Sequence, residues 1–222
     1  MNLERVILCG PSGSGKTTLA KYIADVFKIP FIPGSASLIM TPEDQEELKN
    51  KYGYEPTGQK NVINLSGANP NFGYDFQEKL LHNRFEKLFN IVEGFVTDRS
   101  PVDNVTYFLN QVVHNVRDED AEKFIQIATK YYEMTFTHLI YVKCVNPDKI
   151  ENNGSRVDNK YFQKKVDAIF EHVLKEYFLP IYRTQNKETV CVRASNVKVL
   201  TIDYWDLTKR KAEVVQFLTN PR

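Results

Sequence analysis

The sequence predicts an α/β layered fold around a mostly parallel sheet. Three observations carry this. Short, uninterrupted apolar runs such as "RVILCG" (5–10) and "THLIYVKC" (137–144) read as strands buried on both faces. Stretches with helical spacing of apolar residues separate these runs in regular alternation. The first run ends in a glycine-rich turn that opens directly into a helix.

The elements follow in order. Strand 5–10 leads into helix 15–27, where Leu19, Ile23 and Val26 repeat at helical spacing. "KIPFIPG" (28–34) reads as a second strand. Residues 35–75, which follow Gly34, carry Gly53, Gly58, Gly67 and Gly73 with Pro42, Pro56 and Pro70 and read as irregular, with one short helix over about 41–51. That helix would be capped by Thr41, with Pro42 at its first position. So long an interruption points to a functional segment. Helix 74–92 shows Phe76, Leu80, Leu81, Phe85, Leu88 and Phe89 on one broad face. "GFVTD" (94–98) is a strand, and 100–113 is a helix capped by Ser100 with Pro101 first. A helix at 119–134, strand 137–144, and a long helix at 156–183 that ends or kinks near Pro180 come next. Runs 189–194 and 197–203 are strand-like, and 207–218 is a closing helix.

Bulk properties narrow the function classes. The chain has 222 residues, long enough for one large domain or a core with an insertion. Its 29 basic and 28 acidic residues leave a net charge of +1, which weighs against a protein that lives on duplex DNA. Cys9, Cys144 and Cys191 stand far apart in apolar runs without metal-ligand spacing, so they read as buried free thiols. The initial residues lack the apolar run of a signal peptide, and no run reaches membrane-spanning length. A cytoplasmic protein without a membrane partner is the expectation.

Residues 10–17 read "GPSGSGKT" and match G-x-x-x-x-G-K-[ST] in full, after a strand and opening a helix. The glycines Gly10, Gly13 and Gly15 allow the backbone to curl so that successive N–H groups, with Ser12, Ser14 and Thr18, point toward phosphate oxygens. The positive end of the following helix adds to the field. Lys16 would reach the β- and γ-phosphates, and the Thr17 hydroxyl would ligate Mg²⁺. The donor this implies is ATP with Mg²⁺. No aspartate has glycine three residues later, so the D-x-x-G switch of GTPases is missing. "NKET" (186–189) lacks the acid of the guanine-reading N-K-x-D and precedes its strand.

Asp98 ends an apolar strand, where an acid orients Mg²⁺ through water. Arg99 beside it can grip two phosphate oxygens. Gln77 and Arg84 lie seven residues apart, two turns along one helix face. Gln77 offers both a donor and an acceptor to a nucleobase edge, and Arg84 suits an acceptor phosphate.

The segment "FQEKLLHNRFEKLFNIVEGFVTDRSPVDNVTYF" (76–108) resembles the central region of the P-loop nucleoside and nucleotide kinases. In thymidylate kinases a helix bearing an arginine precedes a strand ending D-R-Y, and Arg84 with Asp98-Arg99 is similar. In deoxynucleoside kinases an F-Q pair reads the base and E-R-S ends the strand, and Phe76-Gln77 with Asp98-Arg99-Ser100 is similar. The resemblance implies a three-layer P-loop kinase fold, a five-stranded parallel sheet of order 2-3-1-4-5 flanked by helices. It further implies one domain over 1–222, an acceptor-side insertion at about 35–75, and a lid at about 146–166. "IENNGSRVDNKYFQKKVD" (150–167) resembles the lid of small phage-type and nicotinamide-riboside-kinase-like P-loop proteins, and Arg156 would stabilise the phosphoryl group in flight. The resemblance also allows a homodimer. Residues 195–203 and Arg210 fall near the family's adenine pocket.

One departure is informative. Deoxynucleoside kinases carry a glutamate after the second strand that acts on the 5′-hydroxyl, whereas "FIPGSASLIM" (31–40) has no carboxylate before Glu43. A hydroxyl acceptor benefits from a base, and a phosphate acceptor needs only positioning and neutralisation. The expectation is therefore a deoxynucleoside monophosphate kinase, with Lys16, Arg99 and Arg156 on the phosphoryl group. Asp98 or Asp103 could still serve as base. The alternatives are a kinase of a hydroxyl, on a free nucleoside or within DNA stacked on Tyr52, Tyr54, Phe72 and Tyr74, and a regulatory module that binds ATP without transfer.

Overall fold

A computed structural model describes residues 4–55, 59–146, 148, 159–185, 188–193 and 195–219. The chain runs β1 (Arg5–Cys9), α1 (Lys16–Phe27), β2 (Phe31–Ile32), α2 (Ala36–Ile39), α3 (Pro42–Tyr52), α4 (Gln59–Ala68) and α5 (Pro70–Phe89). It continues through β3 (Phe95–Thr97), α6 (Pro101–Gln111), α7 (Asp118–Thr135), β4 (His138–Val142) and α8 (Lys160–Val173). It closes with β5 (Ile181–Gln185), β6 (Glu188–Arg193), β7 (Lys198–Ile202) and α9 (Leu207–Thr219).

Five strands form one parallel sheet in the order β2-β3-β1-β4-β7. Numbered among themselves these are 2-3-1-4-5, the order the sequence implied. Alternation along each strand feeds two cores. Ile7, Cys9, Phe95, Leu139 and Tyr141 join the core that α5 to α8 cover. Val6, Leu8, Val96, Ile140, Val142 and Ile202 join the core under α1 and α9. Both faces are thus dry, which explains why these strands read as continuous apolar runs. β1 and β3 run side by side with Ile7 opposite Thr97, so the loops leaving them emerge together at one sheet edge. Residues 10–16 and 98–100 therefore meet there.

Residues 35–75 are not irregular. α2, α3, α4 and the first turn of α5 occupy most of them. The glycines and prolines that read as breakers are mostly helix punctuation. Thr41 caps α3 by accepting from the Asp44 N–H, Pro42 is at its start, and Gly53 at its end has φ 70°. Asn69 caps α5 with Pro70 following, so α5 starts earlier than the expected residue 74. These helices bury a third, smaller core of Ile39, Met40, Leu48, Tyr54, Phe72, Phe76 and Leu80. Tyr54 and Phe72 are buried there with ring centroids 5.6 Å apart, so they are not open to stack on a nucleic acid base.

Three other expectations change. The helix placed at 156–183 spans Lys160–Val173, continues as a π-helical turn over Leu174–Phe178, and ends before Pro180. β5 then pairs antiparallel with β6 in a separate ribbon outside the main sheet. The helical spacing of the segment extended into a stretch whose "IYRTQ" composition favours a strand once a partner lies beside it. Val26 and Phe89, expected on buried faces, are 42% and 40% exposed. Cys144 is only half-buried, whereas Cys9 is fully buried, and both are free thiols. Among the described residues no helix is long and apolar enough to cross a membrane.

Candidate active site

The loop between β1 and α1 curls through three left-handed glycines, Gly10 at φ 138°, Gly13 at φ 83° and Gly15 at φ 95°. Gly10 has a second constraint, because a Cβ there would lie 2.2 Å from the Val142 carbonyl oxygen at the end of β4. The loop is thereby seated on the neighbouring strand. Ser12 and Ser14 are buried, and Thr17 and Thr18 are exposed at the first turn of α1. The Ser14 hydroxyl is buried without a partner among the described residues. An unsatisfied buried hydroxyl in such a glycine-rich turn fits a polyanion.

Lys16 curls back over this loop and donates to the carbonyls of Gly10 and Pro11, each at 2.7 Å. Burial and the nearby Arg99 guanidinium pull its ammonium down to about 7, against the partial support of Asp103 and Asp98. A phosphate oxygen would give this lysine an anionic partner that the two carbonyls do not.

Asp98 accepts the Thr17 hydroxyl at Oδ2 (2.5 Å) and the Gly34 N–H at Oδ1 (2.9 Å). One hydroxyl and one carboxylate from adjacent loops are hard oxygen donors, the set that Mg²⁺ shares with substrate phosphates. Among the described residues no cluster of three or more His, Cys, Asp or Glu side chains could hold a metal by itself. A Mg²⁺ here would depend on the nucleotide for its remaining ligands.

Gly34, which follows β2, joins several parts of this site. Its carbonyl accepts from Arg84 Nη2 at 3.0 Å, and a Cβ on it would lie 2.5 Å from the Arg99 Cβ. Arg84 itself is 3% exposed. It also donates from Nη1 to the Asn104 side-chain oxygen and to the Ser100 carbonyl. Burial pushes its guanidinium down to about 10, with Asp103 holding it up. Arg84 thus fastens β2, α5 and the start of α6 together, and both terminal nitrogens are committed to protein oxygens.

Arg99 donates to Asp103 Oδ1 at 3.0 Å, and its side chain keeps 27% of its surface exposed. Burial works against its charge, but the Asp103 carboxylate outweighs that and drives its pKa up. The other Asp103 oxygen accepts the Ser100 N–H and hydroxyl, while the Ser100 hydroxyl accepts the Asp103 N–H. This is a capping box at the start of α6. Asp103 thus serves the start of α6 with one oxygen and holds Arg99 with the other. The sequence signal was present, since serine followed three residues later by an acid marks such a box.

Gln77 and Phe76 lie on α5, 4% and 3% exposed. Phe76 packs edge-on to Tyr54, and Gln77 accepts at Oε1 from Asn104 Nδ2 at 3.0 Å. The structure therefore brings together Lys16, Thr17, Asp98, Arg99 and Asp103 at the strand ends, with Arg84 linked to them through Gly34 and Ser100, and Gln77 linked to Arg84 through Asn104. Arg156 lies outside the described residues, as does most of the expected lid. Sequence reasoning missed Gly34 and Asn104, whose partners are distant in the chain. It also missed Asp167 on α8, whose carboxylate accepts from the Tyr141 hydroxyl at 2.8 Å and the Cys144 N–H at 3.2 Å. Burial raises the pKa of Asp167, which fastens α8 to the end of β4. Arg210 on α9 donates to the Ser14 carbonyl at 2.7 Å and the Tyr204 carbonyl at 2.6 Å, with its guanidinium 5.5 Å from the Trp205 ring centre.

The profile of the Deoxynucleoside kinase family matches residues 7–220. The chain belongs to that family. The protein is thus a P-loop kinase, a phosphotransferase whose five-stranded parallel sheet carries the phosphate loop at its centre. Solved structures agree on the kinase fold. A deoxyadenosine kinase from M. mycoides with bound dCTP superposes with a TM-score of 0.58 at 15% identity, covering 96% of this chain and 98% of that one. The same M. mycoides enzyme with bound dATP gives 0.57 at 15% identity, over 98% of this chain and all (100%) of the other. The YorR protein of Bacillus subtilis, solved in complex with phosphorylated GDP, gives 0.53 at 14% identity, over 96% and 94%. No functionally curated protein matches the kinase in sequence.

Proposed function

We propose that this kinase moves the ATP γ-phosphoryl group to the 5′-hydroxyl of a deoxynucleoside, in the cytoplasm. The observation that carries this reading over a monophosphate acceptor is the engagement of Arg84. Its Nη1 and Nη2 donate to Asn104, Ser100 and Gly34 oxygens, which leaves the buried Nε as the one guanidinium nitrogen without a partner among the described residues and so less of a fork for an acceptor phosphate. The family match points the same way.

The loop amides, the Ser14 hydroxyl and Lys16 would hold the triphosphate. Lys16 and Arg99 would neutralise the charge that spreads over the phosphoryl oxygens, with Arg99 oriented by Asp103. Thr17 and Asp98 would hold Mg²⁺, which supplies further neutralisation when bound. Gln77 would face the base, with Phe76 forming part of the wall behind it. Phosphoryl transfer passes through a loose transition state in which positioning and charge stabilisation dominate. The lack of a carboxylate between Phe31 and Met40 is therefore tolerable for a hydroxyl acceptor.

That same lack supports a second reading, a deoxynucleoside monophosphate acceptor, which needs no base. An ATP-coupled assay against the four deoxynucleosides and their monophosphates separates the two. Turnover with free deoxynucleosides at low micromolar to millimolar KM is expected. Turnover only with monophosphates would replace the first reading by the second. ATP binding without any transfer would leave a regulatory module.

A further inference from the structure

The phosphate loop does not rest on β1 alone. Cys9, the last residue of that strand, is paired across the sheet with Tyr141 of β4. The next residue of each chain segment makes a closer approach, since a Cβ on Gly10 would lie 2.2 Å from the Val142 carbonyl oxygen. Only the missing side chain of glycine lets the two backbones meet there, and in close-packed surroundings a shift of Val142 is passed to Gly10. Lys16 depends on the same place, because its ammonium donates to the Gly10 carbonyl at 2.7 Å. Beyond Val142 the chain is tied on one side to β7, where the Lys143 N–H donates to the Ile202 carbonyl at 3.0 Å.

The tie on the other side is Asp167 of α8. Its Oδ1 accepts the Tyr141 hydroxyl at 2.8 Å and the Cys144 N–H at 3.2 Å, and its main-chain oxygen also accepts the Tyr141 hydroxyl, at 3.2 Å. One donor comes from the residue before Val142 and the other from the second residue after it. One turn further along α8, Phe170 stacks on the Tyr141 ring with centroids 6.0 Å apart, and Glu171 pairs with Lys143. Packing does not call for a carboxylate here. Val166, Phe170 and Val173 already give α8 a buried apolar face. Burial raises the pKa of Asp167, so its charge is held at a cost. An apolar side chain at 167 would avoid that cost, but it would take the acceptor from the Cys144 N–H.

We propose that Asp167 is a positioning residue for phosphoryl transfer. It brackets Val142 between two hydrogen bonds and so fixes the seat of Gly10, from which the phosphate loop and Lys16 are set out toward the donor. The inference rests on the reading of residues 10–17 as the seat of the ATP phosphates, and it is independent of which acceptor is used. Asp167 touches neither substrate. It acts through Tyr141 and Cys144, and small displacements passed on in this way are costly where reacting groups must be aligned. What the position needs is an oxygen that accepts two hydrogen bonds. An asparagine at 167 keeps such an oxygen, and an alanine does not.

The test is a calorimetric binding series on the full chain, comparing wild type, Asp167→Ala and Asp167→Asn. Each is titrated with ATP and Mg²⁺ and, separately, with the four deoxynucleosides and their monophosphates. Asp167→Ala is expected to weaken ATP binding by about tenfold, the worth of a hydrogen bond to a charged group, and to leave acceptor binding within about twofold. Asp167→Asn is expected to return ATP affinity to within about threefold of the wild type, because its amide oxygen still accepts both donors. Unchanged ATP affinity in Asp167→Ala overturns the proposal. So does a loss shared equally by ATP and the acceptors, the mark of a merely structural role. Asp167→Asn as weak as Asp167→Ala overturns it too, and tighter ATP binding in both variants would make Asp167 only a charge that repels the polyphosphate. Should Asp167→Ala not fold, Tyr141→Phe replaces it, keeping the ring on Phe170 and removing the hydroxyl. A selective loss of about threefold for ATP is then expected, and an equal loss or none overturns the proposal. A wild type that takes up no ATP removes the loop reading and the proposal together. Binding of monophosphates alone changes only the acceptor, and the ATP titrations still decide the role of Asp167.

Discussion

Arg210 holds the Ser14 carbonyl at 2.7 Å, reaching from the last helix to the phosphate loop. In a trans peptide the carbonyl and the following N–H point in opposite directions. Drawing the Ser14 oxygen outward therefore turns the Gly15 N–H inward, to the side where phosphate would sit. Arg210→Met should weaken ATP binding by roughly tenfold, the worth of one hydrogen bond to a charged group. Deoxynucleoside KM should stay unchanged, and AMP should lose less affinity than ATP. Calorimetric titration with both nucleotides checks this, and equal losses would place the effect on the adenine.

Lys16 gives a pH prediction. Its pKa is pulled from 10.5 to about 7 in the folded chain. Between those values the unfolded chain holds a proton that the folded chain has released, so this group favours folding increasingly as pH rises through that window. Urea unfolding should show the wild type gaining on Lys16→Met from pH 7 to pH 10. Polyanion binding should restore the lost proton. Titrations of ATP at pH 8.5 in buffers of different ionisation enthalpy should then show proton uptake that disappears in Lys16→Met.

Gly34→Ala tests the close approach at the end of β2. The new methyl would meet the Arg99 Cβ at 2.5 Å, which is the stem of a side chain and not its mobile tip. Arg99 or the β2 end must shift. A stability loss of about 1–3 kcal/mol is expected from the overpacking, with kcat falling by more than tenfold while ATP affinity changes little. Chemical denaturation and steady-state kinetics read the two effects separately.

Asp98→Asn keeps the shape of the side chain and removes its charge. The amide oxygen can accept the Gly34 N–H while the NH₂ donates to the Thr17 hydroxyl, which can also accept, so folding should persist. The Mg²⁺ concentration for half-maximal turnover should rise at least about tenfold, since hard cations favour a carboxylate over an amide. A magnesium titration of kinase activity decides this.

Much of this site was legible because its determinants are local. Residues 10–17 state the phosphate loop in one contiguous stretch, and Ser100-Pro101 and Thr41-Pro42 mark helix starts within a few residues. Arg84 was legible as a candidate, but its protein partners were not. Its partners at 34, 100 and 104 come from three chain segments, and only their meeting shows that the guanidinium faces inward. Asn104 and Gly34 carried no local signal for the same reason. The helices at 36–39 and 59–68 were hidden because each is short and is followed by residues that also mark loops. β5 was hidden because its pairing with β6, and not its own pattern, makes it a strand.

The cross-tie made by Arg84 has one further consequence. It joins the backbone at Gly34, which also binds Asp98, to the residue that fixes Gln77. On the proposed reading of Gln77 toward the base and Asp98 toward the metal, the two ends of the acceptor space would be set at a constant span, like the jaws of a caliper that has been locked. Such a space would measure the length of what enters it, and an acceptor one phosphate longer would be used only by a protein that first released that arginine.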